Sequence, residues 1–250
     1  MDSLPNQNAN RPIFSRLRHY SGLRDSLFEA LSQAENAGET YSANTDIFKA
    51  GGNPKFPLII ESGWAFHYKL LPDGGRQICQ LLLPGDIIDG AAILPGGSPT
   101  TSVAAVKDVS VRQMDSGKLF RAVADNEKVA AALWWTVVQT DNMFREHITR
   151  IGRKSSAEAL AHLLLELMVR CELAGITEDG GFRMPLTQND LGDFLGITPV
   201  HISRMLTLLK RSGMITLEHG LVCIMEREAL SEFGAFTQEY LTTGFEHRPG

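Results

Sequence analysis

Arg204, Lys210 and Arg211 lie within one acid-free stretch, TPVHISRMLTLLKRSG, residues 198–213. Cations spaced this way on one element suit the chemistry of nucleic acid. An arginine offers paired N–H donors to guanine O6 and N7, and a lysine neutralises a backbone phosphate as a point charge. The stretch reads as a helix. Thr198 is an N-cap type, Pro199 suits the first helical position, and Gly213 after Lys210 and Arg211 is a stop signal. Ile202, Met205, Leu206, Leu208 and Leu209 supply its buried face, leaving Val200, His201, Ser203 and Arg204 at an exposed start. Free N–H groups at that start, with the positive end of the helix dipole, favour a phosphate. An amphipathic core helix with solvated charges carries the same pattern, so this helix alone leaves DNA binding and plain packing both open.

The elements that must position these residues lie on either side. Upstream, LTQNDLGDFLG reads as a shorter helix that Thr187 caps, with Gln188 in its first turn and Gly196 at the connection. Two such helices joined by a tight glycine-containing turn make a helix-turn-helix, whose second helix enters the major groove. Downstream, MITLEHGLVCIME reads as two short strands around His219 and Gly220, the wing of a winged helix.

Further back, DNEKVAAALWWTVVQTDNMFREHITRI lacks Pro and Gly. Leu133, Val137, Thr140, Phe144, Ile148 and Ile151 recur on it at spacings of three and four, a mostly apolar seam that fits pairing with a second copy. Gly152 is the expected end of that helix. SSAEALAHLLLELMVRCELA follows as another helix, capped by Ser155 or Ser156. From about Glu39 to Met114 short β-branched and aromatic runs alternate with Gly and Pro clusters, as in a small antiparallel barrel or jelly roll. LLPDGGRQ is a hairpin turn in which Asp73 and Gly74 can take the special dihedrals. One or two helices containing GLRDSLFEALSQA precede the strands, and the first residues read as a disordered arm.

Bulk properties narrow the class. The chain has 250 residues, enough for two modest domains, and a net charge of −5, so any basic feature is local. Cys79, Cys171 and Cys223 are three in number and far apart, which fits a reducing, cytoplasmic compartment and no disulfide framework. No apolar run is long enough for a membrane span or shaped as a secretory signal. No nucleophile elbow, phosphate loop or paired-carboxylate motif stands out, and the seven histidines lack metal-ligand spacing, so neither an enzyme nor a metal site is expected.

The order β-roll, long helix, winged helix resembles the Crp–Fnr superfamily of bacterial transcription regulators. The resemblance rests on LTQNDLGDFLGITPVHISRMLTLLKRSGMI, on GWAFHYKLLPDGGRQICQLLLPGDII and on the long-helix stretch from Ala132 onward. It implies an α+β protein with an arm at 1–20, a cyclic-nucleotide-binding-like β-roll at 21–124, a dimerisation helix at 125–152, a winged helix-turn-helix at 153–234 and a C-terminal tail at 235–250. It further implies a homodimer on a palindromic operator in double-stranded DNA, and RNA polymerase as a partner. The expected DNA-facing residues are Thr187, Gln188, Thr198, Pro199, Val200, His201, Ser203, Arg204, Lys210 and Arg211.

Departures from the family pattern are as informative. Members that bind cyclic AMP carry a Glu for the ribose and an Arg for the phosphate after the Gly-Asp turn. Here Gly90 stands at the Glu position and Thr100 and Thr101 at the Arg-Ser position, so cyclic AMP dependence is not expected. A backbone cradle from Gly96 and Gly97 is the remaining route to an anion, set against a plain loop. Residues 1–50 contain no cysteine, which excludes the family's N-terminal iron–sulfur cluster. Haem ligation through His67 or Cys79 is disfavoured against ordinary sheet roles, and no cofactor is predicted. Trp134 and Trp135 are expected to pack between the long helix and the β-roll. Fnr-type members carry Glu-x-x-Ser-Arg on the second helix, where this chain has Val200, His201, Ile202, Ser203 and Arg204. An alternative reading is a sensor or adaptor whose winged helix contacts protein; the acid-free cationic face favours DNA.

Overall fold

The computed structural model describes residues 11–21, 32–52, 57–88 and 98–242. Its N-terminal half is built from strands β1 (Glu35–Tyr41), β2 (Asp46–Phe48), β3 (Leu58–Ser62), β4 (Ala65–Leu70), β5 (Arg76–Leu82), β6 (Ile87–Ile88), β7 (Ser102–Ala105) and β8 (Val109–Met114). They form two antiparallel sheets, ordered β1-β8-β3-β6 and β2-β7-β4-β5. Leu58, Ile60, Ala65, Leu82, Ile88, Val103, Val109 and Val111 come from both sheets and form one core, so the sheets close face to face into a roll. β3 is buried on both faces: Ile59, one residue out of phase, turns outward onto a helical cluster.

That cluster includes helix α1 (Pro12–Ser21), which corrects the expected arm from Pro12 onward, residues 1–10 lying outside the described residues. Ile13, Phe14 and Leu17 recur at helical spacing and are buried against the roll and the long helix. The apolar triplet outweighs the polar composition around it. The expected helix around GLRDSLFEALSQA falls largely outside the described residues. At the β4–β5 turn only Gly74 takes a positive φ, of 86°; Asp73 instead accepts a bond from the Gly75 amide through its carboxylate.

Helix α2 (Ser116–Asp125) leads into α3 (Glu127–Arg153), which Asn126 caps by accepting from the Lys128 and Val129 amides. The long helix runs through Gly152 and is capped by Lys154, so Gly152 does not end it. Val129, Ala132, Trp135, Gln139, Met143, His147 and Arg150 line its buried face. Helix α4 (Ser156–Ala174) begins with a Ser155–Glu158 capping box and is buried nearly all round, which makes it the central element of the C-terminal half.

Strand β9 (Gly181–Arg183), helix α5 (Gln188–Leu195), helix α6 (Pro199–Arg211) and strands β10 (Ile215–Glu218) and β11 (Leu221–Ile224) complete the winged helix, in sheet order β10-β11-β9. His219 and Gly220 join β10 to β11 with φ of 48° and 82°, the left-handed pair of a type I′ hairpin. Helices α7 (Arg227–Gly234) and α8 (Glu239–Thr242) follow. Phe236 and Leu241 are buried, so the first part of the expected tail at 235–250 is packed structure. One core spans both halves: Trp64, Phe66, Ile78 and Leu81 of the roll join Leu160, Leu164, Phe182, Leu191, Ile202 and Leu206. No helix among the described residues is long and apolar enough to cross a membrane.

Candidate nucleic-acid interface

The helix pair is built as its local sequence dictates. The Thr187 hydroxyl accepts from the Asp190 amide and the Asp190 carboxylate accepts from the Thr187 amide, a reciprocal cap on α5. Gly196 ends α5 at φ 69°. A Cβ on Gly192 would lie 2.6 Å from the Ile197 carbonyl oxygen, so only glycine lets the turn fold back this tightly. Thr198 then caps α6 by accepting from the His201 amide at 3.3 Å, with Pro199 in the first turn. Ile202, Leu206 and Leu209 anchor the helix in the core.

The opposite face of α6 is open. Thr198, Pro199, Val200, Arg204, Lys210 and Arg211 are exposed, while His201 and Ser203 are half-buried beside them. Val200 is 62 % exposed, so it faces outward as expected. Among the described residues, Arg204, Lys210 and Arg211 make no ion pair, so their charge is available to a partner. Thr187 and Gln188 are exposed at the start of α5. Leu208 departs from the expected buried face, being 48 % exposed, because it lies one residue off the Ile202–Leu206–Leu209 stripe.

The seam on α3 is brought to the surface on the side away from the core. Trp134, Val137, Val138, Phe144, Ile148 and Ile151 are all exposed, whereas Thr140 is half-buried and Leu133 packs partly against the cluster around α1. Trp135 packs in the core as expected. Trp134 does not: it is 68 % exposed and points along the same open seam as Val137.

In the β-roll, Gly90, Gly96 and Gly97 fall outside the described residues. Thr100 is exposed, and the Thr101 hydroxyl lies 2.9 Å from His67 Nδ1. His67 is buried in β4, edge-on to Phe48. Burial pushes the Cys79 thiol up, outweighing the nearby Lys69, and pushes Cys171 up to about 12. No group of three or more His, Cys, Asp or Glu residues is placed to hold a metal ion among the described residues.

Sequence reasoning missed what holds these parts together. Asp86, in the turn before β6, pairs with Arg16 of α1 and with Arg170 of α4 and accepts from the Leu83 amide. Glu166 pairs with Arg150 of α3 and accepts from the Tyr240 hydroxyl at 2.8 Å. Burial alone would raise both carboxylates; the paired arginines overcome it and hold them below their usual range. The usable signal was α4 itself: a helix apolar on every side must be buried, so His162, Glu166 and Arg170 on it need partners inside.

Residues 158–233 match the family model described as the Crp-like helix-turn-helix domain, and residues 39–126 match the cyclic nucleotide-binding domain. The two lie in the order and over the elements described above. The chain belongs to the Crp–Fnr family of transcription regulators. As a Crp–Fnr protein it is a DNA-binding regulator and not an enzyme. It is similar to the nitrogen fixation regulation protein FixK of Bradyrhizobium diazoefficiens, 29 % identical over 192 residues that cover 76 % of each chain. It is also similar to the fumarate and nitrate reduction regulatory protein of Escherichia coli, 27 % identical over 198 residues that cover 77 % of this chain and 76 % of that one. Among solved structures, FixK2 from Bradyrhizobium japonicum superposes with a TM-score of 0.69 at 28 % identity, covering 79 % of this chain and 96 % of that one.

Proposed function

We propose that this Crp–Fnr regulator acts as a homodimer, joined along the exposed seam of α3, that reads a palindromic operator through α6 without needing cyclic AMP. The observation that carries the reading is the face of α6: Arg204, Lys210 and Arg211 stand exposed, without an ion-pair partner among the described residues and without an acidic neighbour on the helix, beside the solvent-facing Val200. Arg204 reads a base edge, guanine by preference, and Lys210 and Arg211 hold the phosphate backbone. Thr187 and Gln188 add backbone contacts at the start of α5. Independence from cyclic AMP is supported by Gly90 and Thr100 at the positions where nucleotide binders place the Glu and the Arg, and by Thr101, at the Ser position, being engaged with His67. RNA polymerase is the partner through which bound regulator acts on transcription.

Selection of bound fragments from a random DNA pool by the full-length protein, without nucleotide, tests this reading. Enrichment of an inverted repeat supports it. Enrichment that needs added cyclic AMP, or recovery of unrelated sequences only, overturns it.

A further inference from the structure

The β4–β5 hairpin of the roll does not stop at the roll. Its second strand begins with Arg76 and Gln77, and both side chains reach the first helix of the helix-turn-helix. The Arg76 guanidinium donates through Nε to Asp193 at 2.8 Å and through an Nη group to Asp190 at 2.7 Å, the same Nη lying 2.7 Å from the Asp193 carboxylate as an ion pair. The Gln77 amide donates to the Asp193 carbonyl at 2.7 Å, near the end of α5, where helical carbonyls lack partners of their own. Phe66 on β4 supports the guanidinium from the roll side, its ring centroid 4.7 Å away.

Asp190 is the residue that makes this contact consequential. One carboxylate oxygen closes the Thr187 cap on α5, and the other takes Arg76. The cap at the start of α5 and the sensor hairpin therefore share a single carboxylate. α5 in turn sets α6, through the tight turn at Gly192 and Gly196. A change in hairpin position reaches the DNA-facing helix through two charge-assisted bonds rather than through the length of the chain.

We propose that Arg76 is a positioning residue for DNA recognition: by bridging Asp190 and Asp193 it holds the helix pair on the β-roll in the orientation that binds the operator. It rests on the DNA-binding reading of α6. Electrostatics act in the same direction, because Arg76 neutralises two carboxylates that would otherwise repel phosphates beside Thr187 and Gln188.

The test uses the full-length protein, the inverted repeat recovered by selection, and amide hydrogen exchange on the free protein. Arg76→Ala is expected to weaken operator binding about tenfold, and to speed exchange across residues 188–195 by a similar factor, with β-roll strands unchanged. Arg76→Lys, which keeps the charge but not the fork, gives an intermediate loss. Asp193→Asn separates positioning from charge: positioning predicts weaker binding, whereas relief of phosphate repulsion alone predicts tighter binding. Tighter binding by Arg76→Ala or Asp193→Asn, or unchanged exchange across 188–195, overturns the proposal. Lost protection within β4 and β5 also overturns it, since Arg76 would then serve the hairpin alone. If the wild-type protein bound no DNA, the functional reading would fail while the exchange measurement still judged the clasp.

Discussion

Replacing Phe144 and Ile148 together by glutamate probes the seam on α3 directly. In the single chain Ile148 is 66 % exposed and Phe144 38 %, so neither holds the protomer together. Full burial of such side chains stabilises by about 1.5–3 kcal/mol each. Scaled by the surface still open, pairing two seams would bury roughly 1–2 kcal/mol at each Ile148 and about 1 kcal/mol at each Phe144. Twofold symmetry counts both twice, so the double substitution removes about 3–6 kcal/mol of association free energy. Four carboxylates facing one another at low local dielectric add to the loss. At 1.4 kcal/mol per tenfold, the dimer dissociation constant rises at least about a hundredfold.

Sedimentation equilibrium at micromolar protein reads that change, and operator binding should fall with it, because one half-site then has to be held by a single helix pair. The thermal midpoint of the protomer serves as control, since the substituted side chains are exposed. A dimer of undiminished affinity with full operator binding would show that α3 pairs no second copy, and the proposed interface would have to be abandoned. A protomer that unfolds would place Phe144 and Ile148 in its own core, against their exposure.

Arg204→Ala should cost about 1–3 kcal/mol on the selected operator and relax preference at one guanine, while Lys210→Ala weakens all sequences alike and lowers the salt slope; competition titrations at several salt concentrations separate the two, and equal losses for Arg204→Ala on operator and random DNA would refute its role. Val200→Glu places a carboxylate where Fnr-type members carry one, so preference should move toward cytosine at the base it faces; paired operators differing at that base decide it, and an unchanged preference would mean Val200 faces no base. Stability should fall as pH drops from about 6.5 toward about 4, because burial first, and then Arg150, hold His147 and His162 down at about 4. Each is neutral in the folded chain through that window but protonates when unfolded, a loss of at most about 3 kcal/mol per histidine. His147→Phe, stacked on Phe194 as the imidazole is, should flatten the urea midpoint against pH, and a profile as steep as wild type would remove His147 from the account.

The recognition helix was legible because its determinants are local. Thr198, Pro199 and Gly213 mark its ends by backbone chemistry that needs no tertiary partner, and Thr187 does the same for the start of α5. His219 and Gly220 forecast the wing for the same reason. The seam on α3 was legible as a period, but which residues face outward depends on how α1 and the roll cover the other side. Leu133 is partly covered and Trp134 left open, a difference of one residue that spacing alone does not decide. Helix α1 was missed because a short apolar triplet in a polar context signals nothing until a groove exists to receive it. The Arg76 clasp was invisible for a stronger reason. Its partners lie more than a hundred residues away, and each alone reads as an ordinary surface charge.

The buried charges favour the arrangement of roll and reader seen in the structure. Apolar contacts alone, as between Trp64 and Phe182, tolerate sliding, because their free energy follows area rather than direction. Asp86 between Arg16 and Arg170, and Glu166 between Arg150 and Tyr240, do not. Shifting one element against another would strand a buried charge, and breaking such a pair costs about 3–5 kcal/mol. Replacing the whole set by well-packed apolar residues need cost little, so the pairs contribute orientation more than net stability. They join α1, the turn at Asp86, α3, α4 and α8, while Arg76 and Gln77 fix α5 from the roll side. The clasp on α5 from the roll is made by the chain's own residues, Arg76 and Gln77, so the orientation proposed for operator binding would rest on these contacts.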